Sequence, residues 1–118
     1  MKDLGTKGEN LAVRFLMKKG YSVIQRNHKT PFGEIDIIAQ DGNTIVFVEV
    51  KTRRDTFFGY PFEAVTRRKI NKLKKSALFY LKKQRRESPA RFDVLSIFNT
   101  DSGLFEIEHF IDAFEVEP

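Results

Sequence analysis

A predicted β-hairpin at residues 33–51 constrains the fold of this chain more than any other segment. The runs on either side of Asp41-Gly42-Asn43 are rich in Ile, Val and Phe, which favour strands. Gly and Asn tolerate the positive φ that a tight hairpin needs, so Asp41-Gly42-Asn43 is the predicted turn. We therefore expect two neighbouring antiparallel strands in a central sheet.

Four charged residues interrupt these apolar strands: Glu34, Asp36, Glu49 and Lys51. Alternation along a strand places Glu49 and Lys51 on one face and Glu34 and Asp36 together on a face of the other strand. The hairpin can bring Asp36 close to Glu49. One interpretation is a buried salt bridge or a polar sheet edge. We favour a functional site, because an unpaired charge in an apolar strand is strongly unfavourable.

Asp36 and Glu49 have the chemistry of a site for Mg²⁺ or Mn²⁺. Magnesium binds through one or two carboxylates, keeps several waters and docks phosphates. The backbone carbonyl of Val50 could be a further ligand, and Lys51 would orient the attacking water or stabilise charge on the phosphorus oxygens. Asp36, twelve intervening residues and Glu49-Val50-Lys51 match the pattern of metal-dependent nucleases, with Ile35 in place of the usual Pro.

Composition excludes several classes of protein. The 118 residues suit a single domain, 1–118, with its own core. With no Cys and two His, the chain has neither a disulfide framework nor the usual ligands of a zinc site. No apolar run reaches membrane-spanning length and no signal peptide is evident, so we expect a cytoplasmic protein that does not enter a membrane.

Positive charge is concentrated in one part of the chain. From Arg67 to Arg91 there are eleven Lys or Arg residues and one acidic residue, Glu87. A solvated helix face would explain this pattern, but it also suits a polyanion such as nucleic acid. The expected nucleic-acid contacts are Arg53, Arg67, Arg68, Lys69, Lys72 and Lys75.

Periodicity predicts the order helix, three strands, helix, two strands. The first helix runs from a cap at Thr6 to about Lys19, and the second from about Thr66 to Gln84. The first strand covers residues 21–25 and is followed by an exposed connection at 26–31, which makes His28 a loop residue. The last two strands cover 91–98 and 104–110, followed by an acidic tail. The layer rule then predicts an α/β fold with a central mixed five-stranded sheet flanked by helices.

Two further features have alternative interpretations. Four aromatic residues within 57–62 could stack on splayed bases, but we favour packing or a dimer contact. Arg91 and Asp93 follow each other on a strand, and we interpret them as a structural pair. His109 is also assigned to structure. Glu9 lies in the first turn of its helix, where it can interact with the helix dipole.

The sequence resembles the YraN family, whose members look like archaeal Holliday-junction resolvases and other restriction-endonuclease-like nucleases. The resemblance covers nearly the whole chain and is weakest after Phe98. It rests above all on Gly8-Glu9, Gly33-Glu34-Ile35-Asp36, Val46-Phe47-Val48-Glu49-Val50-Lys51-Thr52-Arg53, Lys69 and Arg91-Phe92-Asp93-Val94. It implies a restriction-endonuclease-like core and makes Glu9 a member of the active site, as catalytic residue or metal ligand. By analogy it also implies a homodimer, and it places Lys69 near the scissile phosphate.

These observations predict a metal-dependent endonuclease that hydrolyses phosphodiester bonds in DNA, with branched or junction DNA as a candidate substrate. Its predicted catalytic residues are Glu9, Asp36, Glu49 and Lys51. The alternative is a non-catalytic nucleic-acid-binding protein with the same fold. A third hypothesis is a partner-binding protein whose aromatic loop forms an interface.

Overall fold

The structure is a computed structural model, and it describes residues 4–53, 66–85, 87–99 and 104–114. These residues form two helices and five strands. In chain order they are α1 (Leu4–Lys18), β1 (Ser22–Thr30), β2 (Gly33–Asp41), β3 (Thr44–Arg53), α2 (Arg67–Lys83), β4 (Ala90–Asn99) and β5 (Phe105–Phe114).

The five strands form one mixed sheet in the order β1-β2-β3-β4-β5. All neighbouring pairs are antiparallel except β3 and β4, which are parallel. A parallel pair needs a crossover connection, and α2 lies in the segment between them. The predicted α/β fold with a mixed five-stranded sheet and flanking helices is confirmed, and it is consistent with a restriction-endonuclease-like core.

The sheet has a separate hydrophobic core on each face. Leu16 of α1 packs with Val46 and Val48 of β3 on one face. Leu73 of α2 packs with Phe47 on the other. The alternation predicted for β3 is therefore confirmed, and Glu49 and Lys51 follow Phe47 on the α2 side. The two helices cover opposite faces because the central strands β2, β3 and β4 are apolar on both faces.

Short-range signals set the helix ends and the hairpin turn. The Thr66 side chain caps α2 by accepting a hydrogen bond from the backbone N–H of Lys69 at 3.2 Å. Gly20, with φ of 94°, ends α1, and the N–H of Tyr21 donates to the carbonyl of Leu16 at 3.0 Å. This is the Schellman arrangement, which favours glycine. Gly42, with φ of 60°, forms the predicted hairpin turn.

Three predicted boundaries are wrong. Helix α1 begins at Leu4, so Thr6 lies within the helix and is not its cap, and Glu9 lies beyond its first turn. Residues 26–30, expected to be an exposed connection, belong to β1 and pair with β2. His28 is consequently a half-buried strand residue that packs against Tyr80, with ring centroids 5.3 Å apart. Because β1 is at the edge of the sheet, its exposed face is polar and resembles a loop in sequence. Residues 111–114, expected in the acidic tail, complete β5, where Phe114 is buried.

The aromatic segment 57–62 lies outside the described residues, as do residues 100–103 of the predicted turn after β4. In the parts of the chain that the structure describes, neither helix combines the length and apolar character needed to cross a membrane.

Candidate active site

Asp36 lies at the point where β2 separates from β3. The ladder between these strands ends at the pair Ile37 and Val48. Beyond it, the backbone N–H of Val50 donates to Asp36 Oδ2 at 2.8 Å. At this position the Asp36 carboxylate, and not the backbone of β2, accepts the hydrogen bond from β3.

An irregularity in β2 turns the Asp36 carboxylate towards β3. Ile35 contributes to the core under α2, whereas Ile37 contributes to the core under α1, although strict alternation would place them on one face. At the other edge of β2, Arg26 and His28 of β1 pair with residues of β2, whereas Asn27 between them does not. Asn27 has φ of 49°, a left-handed conformation that asparagine tolerates. The alternation therefore slips by one residue at Asp36.

Glu49 is the buried centre of the site. Only 3% of its side chain is exposed, and its Oε2 contacts two ammonium groups. Lys51 Nζ lies at 3.3 Å and Lys69 Nζ at 2.7 Å. The Thr66 cap places Lys69 in the first turn of α2, from which it reaches the sheet. The sequence predicted Lys69 as a nucleic-acid contact, and the structure places it directly on Glu49.

The site perturbs the protonation of its members. Burial raises the pKa of Asp36 to about 7, and the negative charge of Glu49 adds to the effect, while the hydrogen bond from Val50 opposes it. Partial burial lowers the pKa of Lys51, and neighbouring Lys69 lowers it further. Burial acts in the same direction on Lys69, but the hydrogen bond that its ammonium donates to Glu49 outweighs burial and raises its pKa. Glu49 is therefore close enough to oppose the ionisation of Asp36.

Glu9 approaches the site from α1. Its negative charge contributes to the raised pKa of Asp36, so the two side chains interact electrostatically. Glu9 also forms an ion pair with Arg26 of β1, with an Oε1 to Nη2 distance of 3.7 Å. Arg26 Nη2 donates to Asn10 at 2.7 Å as well. Arg26 thus orients the first turns of α1, a role that its sequence position in a predicted loop did not indicate.

Gly8 allows α1 to approach the end of β3. A Cβ atom at this position would lie 2.5 Å from Thr52 Oγ1 and 3.0 Å from its Cγ2. Real Cβ atoms do not approach neighbours so closely, so only glycine fits. The adjacent Glu9 is brought towards Asp36 by this contact.

We expect Gly8→Ala to destabilise the protein, although alanine favours a helix over glycine by about 1 kcal/mol. The clash with Thr52 should cost about 1–3 kcal/mol, as overpacking commonly does. Urea unfolding of Gly8→Ala, of Thr52→Ala and of the double variant measures this. The double variant should recover most of the loss. A stabilised Gly8→Ala protein would contradict the close packing described here.

No group of three or more Asp, Glu, His or Cys side chains within the described ranges is arranged as a ready metal site. The structure brings Asp36, Glu49 and Lys51 together, with Glu9 within electrostatic range. Asp36 and Glu49 are therefore the two side chains that could hold a metal. The Val50 N–H is bonded to Asp36, and the ligand role of its carbonyl stays a prediction.

The remaining predicted nucleic-acid contacts lie beside the site. Their side chains are exposed on α2, which begins at the site and carries no acidic residue in its first turn. They are Arg67, Arg68, Lys72 and Lys75. The backbone of Arg53 ends β3, but its side chain lies outside the described residues.

Comparisons with known proteins identify the family of this chain. The sequence profile described as "Uncharacterised protein family UPF0102" matches residues 8–97. The chain belongs to the UPF0102 family. The YraN family that its motifs resemble is this family, so the resemblance is confirmed. The matched span of UPF0102 begins at Gly8 and includes every predicted site residue.

Full-length UPF0102 relatives are similar to the chain. A UPF0102 protein of Syntrophomonas wolfei is 52% identical over 96% of this chain and 98% of its own length. One from Thermodesulfovibrio yellowstonii is 48% identical over 95% of this chain and 96% of its own. One from Dictyoglomus thermophilum is 44% identical over 96% and 98%, respectively.

This UPF0102 member also contains a second buried polar cluster, on the α1 side of the sheet. Asp93 is fully buried and accepts hydrogen bonds from Arg91 Nε at 3.0 Å and from the N–H of Asp112 at 2.9 Å. It also bonds His109 Nε2 at 2.7 Å, and Lys19 Nζ lies 2.9 Å from His109 Nδ1. Because an ammonium only donates, Nδ1 accepts and Nε2 donates to Asp93.

These contacts agree with the structural roles that the sequence predicted for Arg91, Asp93 and His109. Arg91 also contacts Tyr21 at 2.7 Å and Asp41 at 3.3 Å, so the cluster joins β2, β4 and β5 to the segment at the end of α1. The sequence did not indicate His109 as the partner of Asp93, because 16 positions separate them.

Ser96 is a residue near the site that the sequence analysis missed. It pairs with Lys51 across the parallel strands. Its side chain is fully buried, and its hydroxyl has no hydrogen-bond partner in the part of the chain that the structure describes. Nothing in the local sequence distinguishes it, because a serine in a strand is common.

Proposed function

We propose that this protein is a Mg²⁺- or Mn²⁺-dependent nuclease that hydrolyses phosphodiester bonds in DNA. One observation carries the proposal: the half-buried Asp36 lies beside the buried Glu49, which contacts Lys51 on its own face of the sheet. In a structural ion-pair cluster each carboxylate would accept from a cation. Asp36 instead has no Lys or Arg among its hydrogen-bond partners in the described residues, and burial, together with the negative charge of Glu49, raises its pKa to about 7.

The residues fit a hard divalent cation. Both candidate ligands are carboxylates, which Mg²⁺ prefers. Burial and the charge of Glu49 raise the pKa of Asp36, so a cation bound beside Asp36 would stabilise its ionised form. When bound, the metal would supply charge stabilisation on a phosphate oxygen and a more acidic water.

The protein side chains would supply the other contributions to catalysis and binding. Lys51, held 3.3 Å from Glu49, would orient the attacking water and stabilise negative charge on the phosphate. Lys69, whose pKa is raised, would stay protonated and face the scissile phosphate. Glu9 would add negative charge near Asp36 and strengthen the attraction for a cation. The exposed cations of α2 would bind the DNA backbone beside the site.

A cleavage assay tests the proposal. Four-way junctions, flaps, duplex, single-stranded DNA and RNA are incubated with the pure protein and Mg²⁺ or Mn²⁺. We expect cleavage of at least one DNA, with branched substrates preferred. No cleavage of any substrate with either metal would overturn the assignment as an enzyme.

The raised pKa of Asp36 predicts a pH-dependent gain in stability for Asp36→Asn. The folded-state pKa, about 7, is higher than the ordinary value of 3.8. The folded state therefore binds more protons between these values, and the stability contributed by the protonated carboxyl is lost as pH rises through 7. Without divalent metal, the variant should exceed the wild type by a few kcal/mol at pH 8 and by less at pH 5.

Urea unfolding at both pH values measures this difference, with the exposed Glu34→Gln as the control. Asparagine keeps an oxygen that accepts from the Val50 N–H, so the local geometry should be retained. An equal effect at pH 5 and pH 8 would contradict the raised pKa.

A non-catalytic nucleic-acid-binding protein is the second candidate, and the Lys69 contact favours it. Lys69 Nζ lies 2.7 Å from Glu49 Oε2 and neutralises the carboxylate without a metal. A closed ion-pair network of this kind could serve stability alone. This candidate predicts salt-sensitive binding of DNA, with no cleavage and no metal binding in calorimetry.

A symmetric dimer is part of the nuclease proposal, since two copies would present two sites to the two strands of a junction. Light scattering coupled to gel filtration measures the oligomeric state. A monomer that still cuts junctions would remove the dimer from the proposal and leave the active site in place.

A further inference from the structure

A shallow groove lies between α2 and the turn that joins β1 to β2. It has a volume of about 280 Å³ and is lined by Phe32, Lys75, Leu78, Phe79 and Lys82. The rings of Phe32 and Phe79 meet edge to face, with centroids 6.3 Å apart. Phe32 is 44% exposed and Leu78 is 52% exposed. The groove is therefore an apolar surface open to solvent.

The apolar side chains of this groove do not stabilise either core. Phe32, Leu78 and Phe79 belong to neither of the two buried clusters, and the buried face of α2 carries other residues. Phe79 follows Arg68, Lys72 and Lys75 at intervals of three and four residues, so it shares their face of the helix. An aromatic ring on a basic, outward face suggests a ligand surface.

The charges at the groove are positive. Lys75 and Lys82 line it, and Lys83 Nζ lies 5.7 Å from the centroid of the Phe79 ring. Among the residues that the structure describes, no acidic side chain lines it. Aromatic rings that stack on bases, flanked by amines that contact phosphates, are the features by which proteins bind single-stranded nucleic acid.

The groove is placed to bind a strand that also reaches the active site. Lys69 contacts Glu49, and Phe79 lies ten residues further along the same helix. At a rise of about 1.5 Å per residue, this separation is about 15 Å. At about 3.4 Å per step, the spacing of stacked nucleotides in one strand of a duplex, that distance corresponds to roughly four nucleotides. Arg68, Lys72 and Lys75 lie between the two positions and can contact the intervening phosphates.

We propose that the groove binds an unpaired base of single-stranded DNA, about four nucleotides from the phosphate in the active site. The substrate would then be a DNA with a single-stranded segment beside its cleavage point, such as a flap or an open branch. This inference rests on the proposed nuclease function, because the distance is counted from the phosphate that the nuclease would cleave. A base in an intact duplex is stacked within the helix and cannot enter the groove.

The test measures binding without metal, so that cleavage is not required. A single-stranded DNA of about 12 nucleotides, within the range of single-strand site sizes, carries 2-aminopurine as a fluorescent base. A duplex of the same sequence is the comparison. The proteins are the wild type, Phe79→Ala, Phe79→Trp and the control Met17→Ala, which removes an exposed apolar side chain from α1.

Phe79→Ala should weaken single-strand binding about 5- to 100-fold, the range for loss of one stacked base, and change duplex binding less than about twofold. It should also abolish the fluorescence change of 2-aminopurine. Phe79→Trp should retain both properties, and Met17→Ala should match the wild type. Equal losses on single strand and duplex, or no loss on either, would overturn the inference.

Other outcomes identify other occupants. A change in oligomeric state for Phe79→Ala, with unchanged single-strand affinity, would assign the groove to a second copy of the chain and overturn our proposal. If the wild type binds no nucleic acid at low salt, the nuclease proposal and the groove fail together. If it binds and cuts DNA while Phe79→Ala behaves as the wild type, the groove alone fails.

Discussion

Glu49→Gln is expected to lower DNA cleavage by about 10³-fold or more, the scale seen when a group that stabilises transition-state charge is lost. Glutamine preserves the shape of the side chain but removes the charge that contacts Lys51 and Lys69. It also removes one of the two candidate metal ligands. Cleavage rates at saturating Mg²⁺, together with metal binding by calorimetry, measure the effect.

DNA binding separates this loss from a failure to fold. The variant leaves two ammonium groups without their buried carboxylate, so the site becomes more positive, and affinity for DNA should be retained or increased. Glu34→Gln, an exposed substitution on β2, is the matched control and should cut at the wild-type rate. Cleavage by Glu49→Gln at the wild-type rate would place the active site elsewhere.

Asp93→Ala is expected to have the largest effect on stability, a loss of about 3–5 kcal/mol, because it breaks a buried charge cluster from its centre. Arg91 and His109 would lose their common partner, and the N–H of Asp112 would lose its acceptor. Urea unfolding at pH 7 measures the loss. Asp41→Ala removes a half-exposed contact of the same Arg91 and should cost less than about 1 kcal/mol.

The pH dependence gives this prediction a second test. Burial acts to raise the pKa of Asp93, but hydrogen bonds from His109 and Arg91 outweigh it and hold the pKa below 3.8. Its stabilising contribution is therefore present above pH 3.8 and lost as pH falls through the lower folded-state value. The wild type should lose stability in acid at this point, and Asp93→Ala should lose less. Equal acid sensitivity would contradict the assigned role.

Asp93 and Asp36 thus have opposite relations to stability. Asp93 is buried among donors, and its charge stabilises the fold. Asp36 is half-buried, accepts one N–H from the described residues and lies beside Glu49, so its charge opposes the fold. A site that is unfavourable for the isolated protein but favourable with a bound cation is expected at functional positions. This contrast, rather than burial alone, separates the candidate active site from the structural cluster.

Local sequence was sufficient to predict the hairpin and the positions of its charges. Strand alternation is a local property, so it placed Glu49 and Lys51 on one face, and the turn at Gly42 set the register. Thr66 and Gly20 marked helix ends for equally local reasons. The assignment of Glu9 to the site depended on the family resemblance, since an acidic residue near the start of a predicted helix has an ordinary explanation.

Only the tertiary structure decided which distant groups meet. Period-two alternation could not show that β2 slips at Asp36, because the slip depends on pairing with β1 and β3. It could not show Lys69 on Glu49 or His109 on Asp93, since these contacts join elements that are far apart in sequence. It also missed the strand at residues 26–30, whose polar residues face solvent at the sheet edge. The sequence by itself determined which side chains each element presents, whereas packing between the elements determined their partners.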